Sequence, residues 1–346
     1  MEHRLALIGF GTVGQALAEI LLEKEEVLRK KEGFSGKITA ISDVMKGSLY
    51  HPEGLDIAEV LRVIREHGTL NAYPEVPGLI REWDSLTTIR RSNADTVVEV
   101  TYTDIETGQP AIDHCRTAFE SGKNVVTTNK GPVALAYREL SELAEQMGVR
   151  WGIEGTVMSG TPALRMPRVT LAGNEITEIR GILNGTTNFM LTRMEDGLTF
   201  EEALGEARKR GYAEADPTSD VEGFDALYKV MILSEVIMGV PLRREDVRRE
   251  GIRGLTPEDI RRARRKGRRW KLLGEVKKEG ESVTASVRPV ALPLSDPLAG
   301  IEGAVNAITY HCDLAGPITL VGAGAGRRET GFSLLIDLLN LVRGYP

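Results

Sequence analysis

The chain has 346 residues, of which 41% are hydrophobic and 27% are charged, and its formal net charge is −6. This is the composition of an ordinary globular protein that is large enough for more than one domain. The acidic balance argues against a generally nucleic-acid-binding surface. No apolar run approaches the roughly 20 residues that cross a bilayer, so no membrane partner is expected.

The first predicted elements are a short apolar strand over residues 4–8 and a helix over residues 15–28, joined by the turn GFGTVG. Gly9, Gly11 and Gly14 fit the GxGxxG pattern in this position. The first glycine permits a tight turn, the second lets a pyrophosphate approach the backbone, and the third lets helix and strand pack closely. A plain glycine turn is the alternative. The cofactor-binding residues predicted here are Gly9, Gly11, Thr12, Val13 and Gly14.

The second predicted strand, KITAISD, ends at Asp43. An acid at this position hydrogen-bonds the ribose of NAD, whereas the nearby Lys46 would suit the 2′-phosphate of NADP. The residues between them do not resemble the arginine motif of an NADP-selective site. NAD is therefore the preferred prediction, and NADP is kept as the alternative.

Two further strand-like runs, residues 94–101 and 122–130, alternate with helical patterns. This alternation predicts an α/β fold in which residues 1–150 form a doubly wound parallel sheet, the Rossmann type of nucleotide-binding domain. Ligands of such sheets bind beyond the carboxyl ends of the strands, so Thr101 and Lys130 are expected near cofactor and substrate. A solvated loop lysine is the alternative interpretation of Lys130.

Residues 151–312 are expected to form a second, α+β domain with a mixed or antiparallel sheet. Its motif NGTT, which contains Gly185 and Thr186, suits either a ligand or the cap of the helix that follows. The tail, residues 313–346, contains the glycine-rich segment GAGAG with Gly324. We expect this tail to fold back against the first domain.

Residues 211–229, GYAEADPTSDVEGFDALYK, gather five acidic residues before one lysine. From about Val221 the apolar spacing predicts a helix that places Asp225 and Lys229 on one face. A helix this apolar is expected to be buried, so its ammonium and carboxylate need pairing with each other or with a polar ligand. Solvated loop charges are the alternative.

The segment over residues 243–278 is rich in Arg and Lys, but these alternate with acids and spaced apolar residues. This pattern favours exposed helices with ion pairs, and RNA binding is the alternative. Cys115 and Cys312 lie far apart and have no metal-ligand spacing, so neither a disulfide framework nor a zinc site is expected. A reducing, cytoplasmic setting is predicted.

Together the motifs resemble the homoserine dehydrogenase family from end to end. The resemblance covers GFGTVG, VEVT, TTNKGPVAL, EGTVMSGTP, GILNGTTNFML and GAGAG. Its most specific part is the spacing of eight residues in the acidic stretch and its approach: Ala207, Gly211, Asp216, Pro217, Asp220, Gly223, Asp225 and Lys229.

The resemblance implies reversible NAD(P)-dependent hydride transfer between L-homoserine and L-aspartate 4-semialdehyde, in threonine and methionine biosynthesis. It implies that Lys229 is the proton donor and Lys130 a second active-site lysine. Glu214 and Asp225 match the residues that bind homoserine, whereas Asp216 and Asp220 are expected to support the loop. The substrate-binding residues expected are Glu214, Asp225, Lys130, Gly185 and Thr186, and those for the cofactor include Asp43, Thr101, Lys130 and Gly324.

Many members of the family also bind a monovalent cation, Na⁺ or K⁺, and are homodimers. The corresponding cation loop here would use Glu154, Val157, Ser159 and Thr161, although an ordinary ion pair is the alternative for Glu154. The chain ends near GAGAG, so the regulatory amino-acid-binding domain of larger members is not expected.

Two other functions are compatible with a nucleotide-binding fold. An oxidoreductase for another amino-acid semialdehyde would lack the combined NGTT and DPxxDxxGxD signatures. A nucleotide-sensing protein without turnover would have no need of both Lys130 and Lys229.

Overall fold

The computed structural model describes residues 2–345, which form two compact units. The first unit contains the chain up to Thr156 together with the segment from Gly326 onward, and the second contains Val157–Ala325. The strands are β1 (Glu2–Ile8), β2 (Ser35–Asp43), β3 (Gly47–Tyr50), β4 (Ile80–Arg81), β5 (Thr96–Glu99), β6 (Asn124–Thr127), β7 (Trp151–Gly152), β8 (Ile176–Ile182), β9 (Val247–Arg249), β10 (Arg268–Glu279), β11 (Ser282–Pro293), β12 (Val305–Cys312) and β13 (Gly316–Ala323).

The α-helices are α1 (Thr12–Val27), α2 (Ile57–His67), α3 (Ser85–Arg91), α4 (Ala111–Glu120), α5 (Lys130–Gln146), α6 (Gly185–Glu195), α7 (Phe200–Lys209), α8 (Thr218–Val221), α9 (Phe224–Met238), α10 (Pro257–Arg265) and α11 (Arg327–Arg343). Short 3-10 or π-helical turns occur at Leu28–Glu32, Leu70–Ala72, Glu154–Thr156, Met166–Thr170 and Arg244–Asp246.

The first unit is built on a seven-stranded sheet in the order β4-β3-β2-β1-β5-β6-β7. Strands β2, β1, β5, β6 and β7 run parallel, whereas β3 and β4 add an antiparallel edge. Strand β1 is flanked by β2 on one side and β5 on the other, so the strand order reverses there. A ligand crevice is expected beyond the carboxyl ends of strands at such a reversal. The predicted doubly wound fold is confirmed.

Helix α11 closes this unit by packing against α1. A Cβ on Gly331 would lie 2.9 Å from the Cβ of Ala16, so the two helices approach closely. Leu334 and Leu338 of α11 are fully buried in the same core cluster as Leu17 of α1. Each such leucine contributes roughly 1.5–3 kcal/mol by leaving water. The chain therefore returns to the first unit after crossing the second.

The second unit is built on a six-stranded sheet in the order β13-β12-β8-β10-β11-β9. Its pairings are antiparallel except for the parallel pair β11 and β9, so the sheet is mixed, as predicted. Helix α9 packs on it where Gly274 leaves room: a Cβ there would lie 2.7 Å from Val230. Because β13 pairs with β12, the segment that returns to the first unit begins at Gly326 rather than at residue 313.

The arginine-rich segment differs from the prediction of exposed helices. Only α10 is an α-helix, begun by a capping box between Thr256 and Asp259. Its arginines do form ion pairs, for example from Arg261 and Arg265 to Glu258. Residues from Arg268 onward form the long strand β10, because they pair with β11 along its whole length.

Both cysteines are buried free thiols. Across residues 2–345 we find no helix whose length and apolarity would let it cross a membrane.

Candidate active site

The glycine turn after β1 has the geometry of a dinucleotide-binding loop. Gly9 has a φ of +92°, and a Cβ there would lie 2.6 Å from the carbonyl oxygen of Val100, so only glycine fits. A Cβ on Gly14 would lie 2.8 Å from the oxygen of Gly9. By contrast, a Cβ on Gly11 would meet nothing within 4 Å. Packing thus explains the first and third glycines, and the open space at the second suits the approach of a pyrophosphate to the amino end of α1.

Asp43 ends β2 directly beside this turn. Its carboxylate accepts hydrogen bonds from the main-chain N–H groups of Phe10 (2.7 Å), Met45 (2.9 Å) and Lys46 (3.0 Å). Burial raises the pKa of Asp43, but these bonds and the Lys46 charge outweigh burial and hold the pKa below its usual value. Asp43 is therefore an anion that shapes the glycine turn, with roughly one of its four lone pairs left for a ribose hydroxyl.

Lys46 lies next to this carboxylate, with its Nζ 3.6 Å from Oδ2 of Asp43. The two residues that would distinguish NAD from NADP are thus paired with each other.

Thr101 and Lys130 follow the neighbouring strands β5 and β6. Asn129 caps α5 by accepting the N–H of Gly131 at 3.0 Å, which makes Lys130 the first residue of the helix. Asn129 also donates from Nδ2 to the carbonyl oxygens of Thr101 (3.4 Å) and Tyr102 (3.3 Å). The predicted residues at the ends of these two strands are thus joined by one side chain.

In the second unit, Lys229 is buried in α9 with two strong acceptors. Its Nζ donates to Oδ2 of Asp225 at 2.7 Å and to the carbonyl oxygen of Leu183 at 2.6 Å. The residue is only 7% exposed. The predicted pairing on one helix face is present, and it brings the end of α9 that carries Asp225 to the end of β8.

Asn184 extends this pair into a cluster. Its Nδ2 donates to Asp220 (2.6 Å) and to Asp225 (3.0 Å), while its Oδ1 caps α6 by accepting the N–H of Thr187 at 2.9 Å. Burial raises the pKa of Asp220, and the charge on Asp225 raises it further. Neither Asn184 nor Asp220 was among the site residues predicted from the sequence. Their signal was the NGTT motif and the spacing of the acidic stretch.

The other acids of the stretch lie apart from this cluster. Asp216 accepts the hydroxyl (2.6 Å) and the N–H (3.0 Å) of Thr218, so it stabilises the turn before α8. Glu214 is exposed on the preceding loop, where its main-chain oxygen accepts from Nε of Arg208 at 3.4 Å. Thr186 donates its hydroxyl to the carbonyl oxygen of Tyr212 at 2.6 Å, which ties α6 to that loop.

Packing alone accounts for two glycines predicted as ligand contacts. A Cβ on Gly185 would lie 2.9 Å from the carbonyl oxygen of Ala304. One on Gly324 would lie 2.1 Å from Cγ of Asn306. Close approach of neighbouring atoms is therefore sufficient reason for a glycine at both positions.

The residues predicted for a monovalent cation fall in both units. Glu154 is buried in a 3-10 turn of the first unit, where its N–H donates to Asp337 at 3.0 Å. Val157, Ser159 and Thr161 belong to the second unit, and Ser159 has a φ of +52°. Among residues 2–345 no group of three or more His, Cys, Asp or Glu side chains is placed to hold a metal ion.

The chain was compared with known proteins. The family model described as homoserine dehydrogenase matches residues 162–339, and that described as glutamate/leucine/phenylalanine/valine dehydrogenase matches residues 1–103. An NAD(+)-dependent homoserine dehydrogenase of Pseudomonas canavaninivorans is 44% identical over 98% of this chain and 96% of its own. A homoserine dehydrogenase of Methanocaldococcus jannaschii is 42% identical over 97% of this chain and 98% of its own.

A solved structure supports the same assignment. A hyperthermophilic archaeal homoserine dehydrogenase in complex with NADPH superposes with a TM-score of 0.85 at 30% identity, covering 100% of this chain and 99% of the other. Identities at this level over nearly complete chains leave no doubt about kinship. The chain belongs to the homoserine dehydrogenase family.

Proposed function

We propose that this chain catalyses the reversible oxidation of L-homoserine to L-aspartate 4-semialdehyde with NAD(P), a step in threonine and methionine biosynthesis. The observation that carries the proposal is the buried ammonium of Lys229, held between Asp225 and Leu183 at the spacing of the family signature. The relatives that are 44% and 42% identical to this chain are named homoserine dehydrogenases, and the similarity extends over nearly their whole length.

The first unit supplies the cofactor seat. The glycine turn would hold the pyrophosphate at the amino end of α1, and Asp43 would accept a ribose hydroxyl. When bound, the nicotinamide exchanges a hydride with carbon 4 of the substrate. The side chains of the protein must therefore bind the amino acid and transfer the proton.

Lys229 is proposed as the proton donor in the reducing direction. As hydride reaches the aldehyde carbon, negative charge develops on the oxygen, and a nearby ammonium stabilises that charge and supplies the proton. Asp225, 2.7 Å from Nζ, stabilises the ammonium before the reaction. In the oxidising direction the neutral amine would accept the hydroxyl proton.

The acids are proposed to recognise the substrate's amino group. A zwitterionic amino acid brings an ammonium that needs a carboxylate partner when it leaves water. Asp225 is anchored for this role by Asn184, and Glu214 is available on the exposed loop. Lys130 is proposed as a second active-site lysine, because its position at the start of α5 is fixed by the cap at Asn129. A monovalent cation bound through Glu154, Val157, Ser159 and Thr161 remains part of the proposal.

We propose NAD as the preferred cofactor. Asp43 is held as an anion beside the glycine turn, where it would repel a 2′-phosphate, and Lys46 is already engaged with it at 3.6 Å. The relative at 44% identity is named as NAD(+)-dependent. The NADPH complex of the archaeal enzyme keeps NADP as the second candidate.

Homodimer formation and a cytoplasmic location are also proposed. β13 is one of the two edge strands of the second unit's sheet, and it exposes Val321 (54%), while Leu314 just before it is 77% exposed. Apolar side chains along an edge strand are typical of an interface. Light scattering after gel filtration measures the mass directly, and a monomer at micromolar concentration would contradict the dimer.

The experiment that tests the proposed activity compares two substrates that differ only in the amino group. NADH formation is followed with L-homoserine and with 4-hydroxybutanoate, which lacks the ammonium. We expect kcat/KM for L-homoserine to be larger by at least about 10²-fold, since 4-hydroxybutanoate lacks the ammonium that would donate charge-assisted hydrogen bonds to the proposed carboxylates. Equal rates, or no oxidation of L-homoserine with either NAD or NADP, would contradict the proposal.

A further inference from the structure

The carboxylate of Glu99, the last residue of β5, is buried and has no role in the site described above. Glu99 is 0% exposed. Its Oε1 accepts the hydroxyl and the N–H (3.3 Å) of Thr101 and lies 3.3 Å from Nδ1 of His114 on α4. Its Oε2 lies 3.3 Å from the hydroxyl oxygen of Thr127, whose single proton is directed at the nearer main-chain oxygen of Glu99. One side chain thus contacts the segment that follows β5, strand β6 and helix α4.

These bonds continue to the start of α5 and close a ring. The Thr127 hydroxyl accepts the N–H of Asn129 at 3.0 Å and donates to the main-chain oxygen of Glu99 at 2.8 Å. Asn129 in turn donates to the carbonyl oxygen of Thr101. The ring therefore fixes the ends of two adjacent strands and the helix start that carries Lys130.

The glycine turn rests on the same segment. The space where a Cβ of Gly9 would lie is filled by the oxygen of Val100 at 2.6 Å and the nitrogen of Thr101 at 3.0 Å. A displacement of Val100 or Thr101 would therefore displace the turn that seats the pyrophosphate. Packed interiors transmit such shifts because they contain little empty volume.

We infer that Glu99 is a positioning residue with two branches, one through Thr101 to the cofactor seat and one through Thr127 and Asn129 to Lys130. The inference rests on the proposed function for the identity of the ligands. His114 on α4, with its Nδ1 3.3 Å from Oε1, ties the carboxylate to a helix as well. Because Glu99 is 0% exposed, we assign it a role through Thr101 and Thr127 rather than through contact with a ligand.

Two substitutions separate the branches. Glu99→Gln keeps the shape but removes the charge, and charge-assisted hydrogen bonds are about twice as strong as neutral ones. We expect a rise of roughly 10-fold in the Kd of NADH and a similar fall in kcat, since a small misplacement at a distance can cost up to about 10²-fold. Thr127→Val is isosteric and removes the hydroxyl that contacts Glu99 and accepts the N–H of Asn129, while the bonds from Thr101 to the Glu99 carboxylate are kept. It should lower kcat about 10-fold while the Kd of NADH changes by less than about threefold.

The matched control is Thr39→Val. Thr39 is a fully buried threonine on β2 of the same sheet, and its hydroxyl donates to a main-chain oxygen, that of Leu5 at 3.4 Å. Because Thr39 gives up one longer bond, Thr39→Val should lower thermal stability less than Thr127→Val, and it should leave both Kd and kcat unchanged. NADH affinity is measured by fluorescence titration, which needs no turnover.

The outcomes are distinct. If Thr127→Val behaves like Thr39→Val, or a folded Glu99→Gln keeps wild-type Kd and kcat, the inference is wrong. If Glu99→Gln does not fold, the comparison of kcat and Kd between Thr127→Val and Thr39→Val tests the inference by itself. A wild-type protein that binds NADH without oxidising L-homoserine would refute the proposed activity. The Kd of Glu99→Gln for NADH would still test whether Glu99 positions the cofactor-binding turn.

Discussion

Substituting Lys229 with Met removes the buried ammonium but keeps most of the side-chain volume. The change deletes two donated hydrogen bonds, to Asp225 at 2.7 Å and to the oxygen of Leu183 at 2.6 Å. Asp225 still accepts a hydrogen bond from the side-chain amide of Asn184 at 3.0 Å. Leaving buried acceptors with fewer donors costs roughly 1–3 kcal/mol each, so we expect a folded but less stable protein.

The effect on catalysis should be larger than this loss of stability alone explains. A positioned proton donor contributes about 10²–10⁴-fold, which is roughly 3–5.5 kcal/mol of transition-state stabilisation. We therefore expect kcat to fall by that factor in both reaction directions. The Kd of NADH should be unchanged, because the glycine turn belongs to the first unit.

The assay follows nicotinamide absorbance with saturating L-homoserine, alongside a fluorescence titration with NADH. Lys271→Met is the matched control, because Lys271 is 1% exposed in the same unit and also donates to a side-chain and a main-chain oxygen, those of Asn188 and Ile301. It should keep kcat within about threefold of wild type. If Lys229→Met keeps near-normal turnover, or Lys271→Met loses as much, Lys229 is not the proton donor.

Three further predictions use simpler assays. Glu214→Ala should raise the KM for L-homoserine about 10-fold or more with little change in kcat, and an unchanged KM would remove Glu214 from substrate binding. Asp43→Ser should raise the ratio of kcat/KM with NADP to that with NAD about 10-fold, and a constant ratio would place cofactor choice elsewhere. Burial lowers the pKa of Lys271 to about 8. The folded protein then binds fewer protons than the unfolded chain between that value and 10.5, so the free energy of unfolding should rise with pH across this window, by up to about 3 kcal/mol from this group. Denaturation in urea at several pH values measures this, and Lys271→Met should lack the rise; an identical rise in both proteins would refute it.

The elements that could be predicted are those set by local pattern. GFGTVG between an apolar strand and an amphipathic helix predicted the turn correctly, since Gly9 has the positive φ and close contact that only glycine allows. The pair of Asp225 and Lys229 followed from a four-residue spacing on an apolar helix. That helix begins at Phe224 rather than Val221, because Gly223 interrupts it with a φ of +80°.

The features that escaped prediction depend on contacts between distant residues. Arg268–Glu279 is charged enough to suggest a helix, but pairing with β11 makes it a strand. Asp220 was expected to support its own loop, yet it meets Asn184, which lies 36 residues earlier in the chain. The antiparallel edge of β3 and β4 was not anticipated either. Local pattern does not specify which distant residues meet, so such clusters and ladders appear only in the folded chain.

The site roles of Lys229, Lys130, Glu214 and Asp225 remain predictions that rest on this geometry and on family membership. The most direct measurement is the absorbance of reduced nicotinamide after L-homoserine is added to the purified protein with NAD, and then with NADP, at mildly alkaline pH. We predict prompt reduction, faster with NAD. An absence of reduction with both, in a protein that binds NADH, would contradict the assignment of homoserine as substrate.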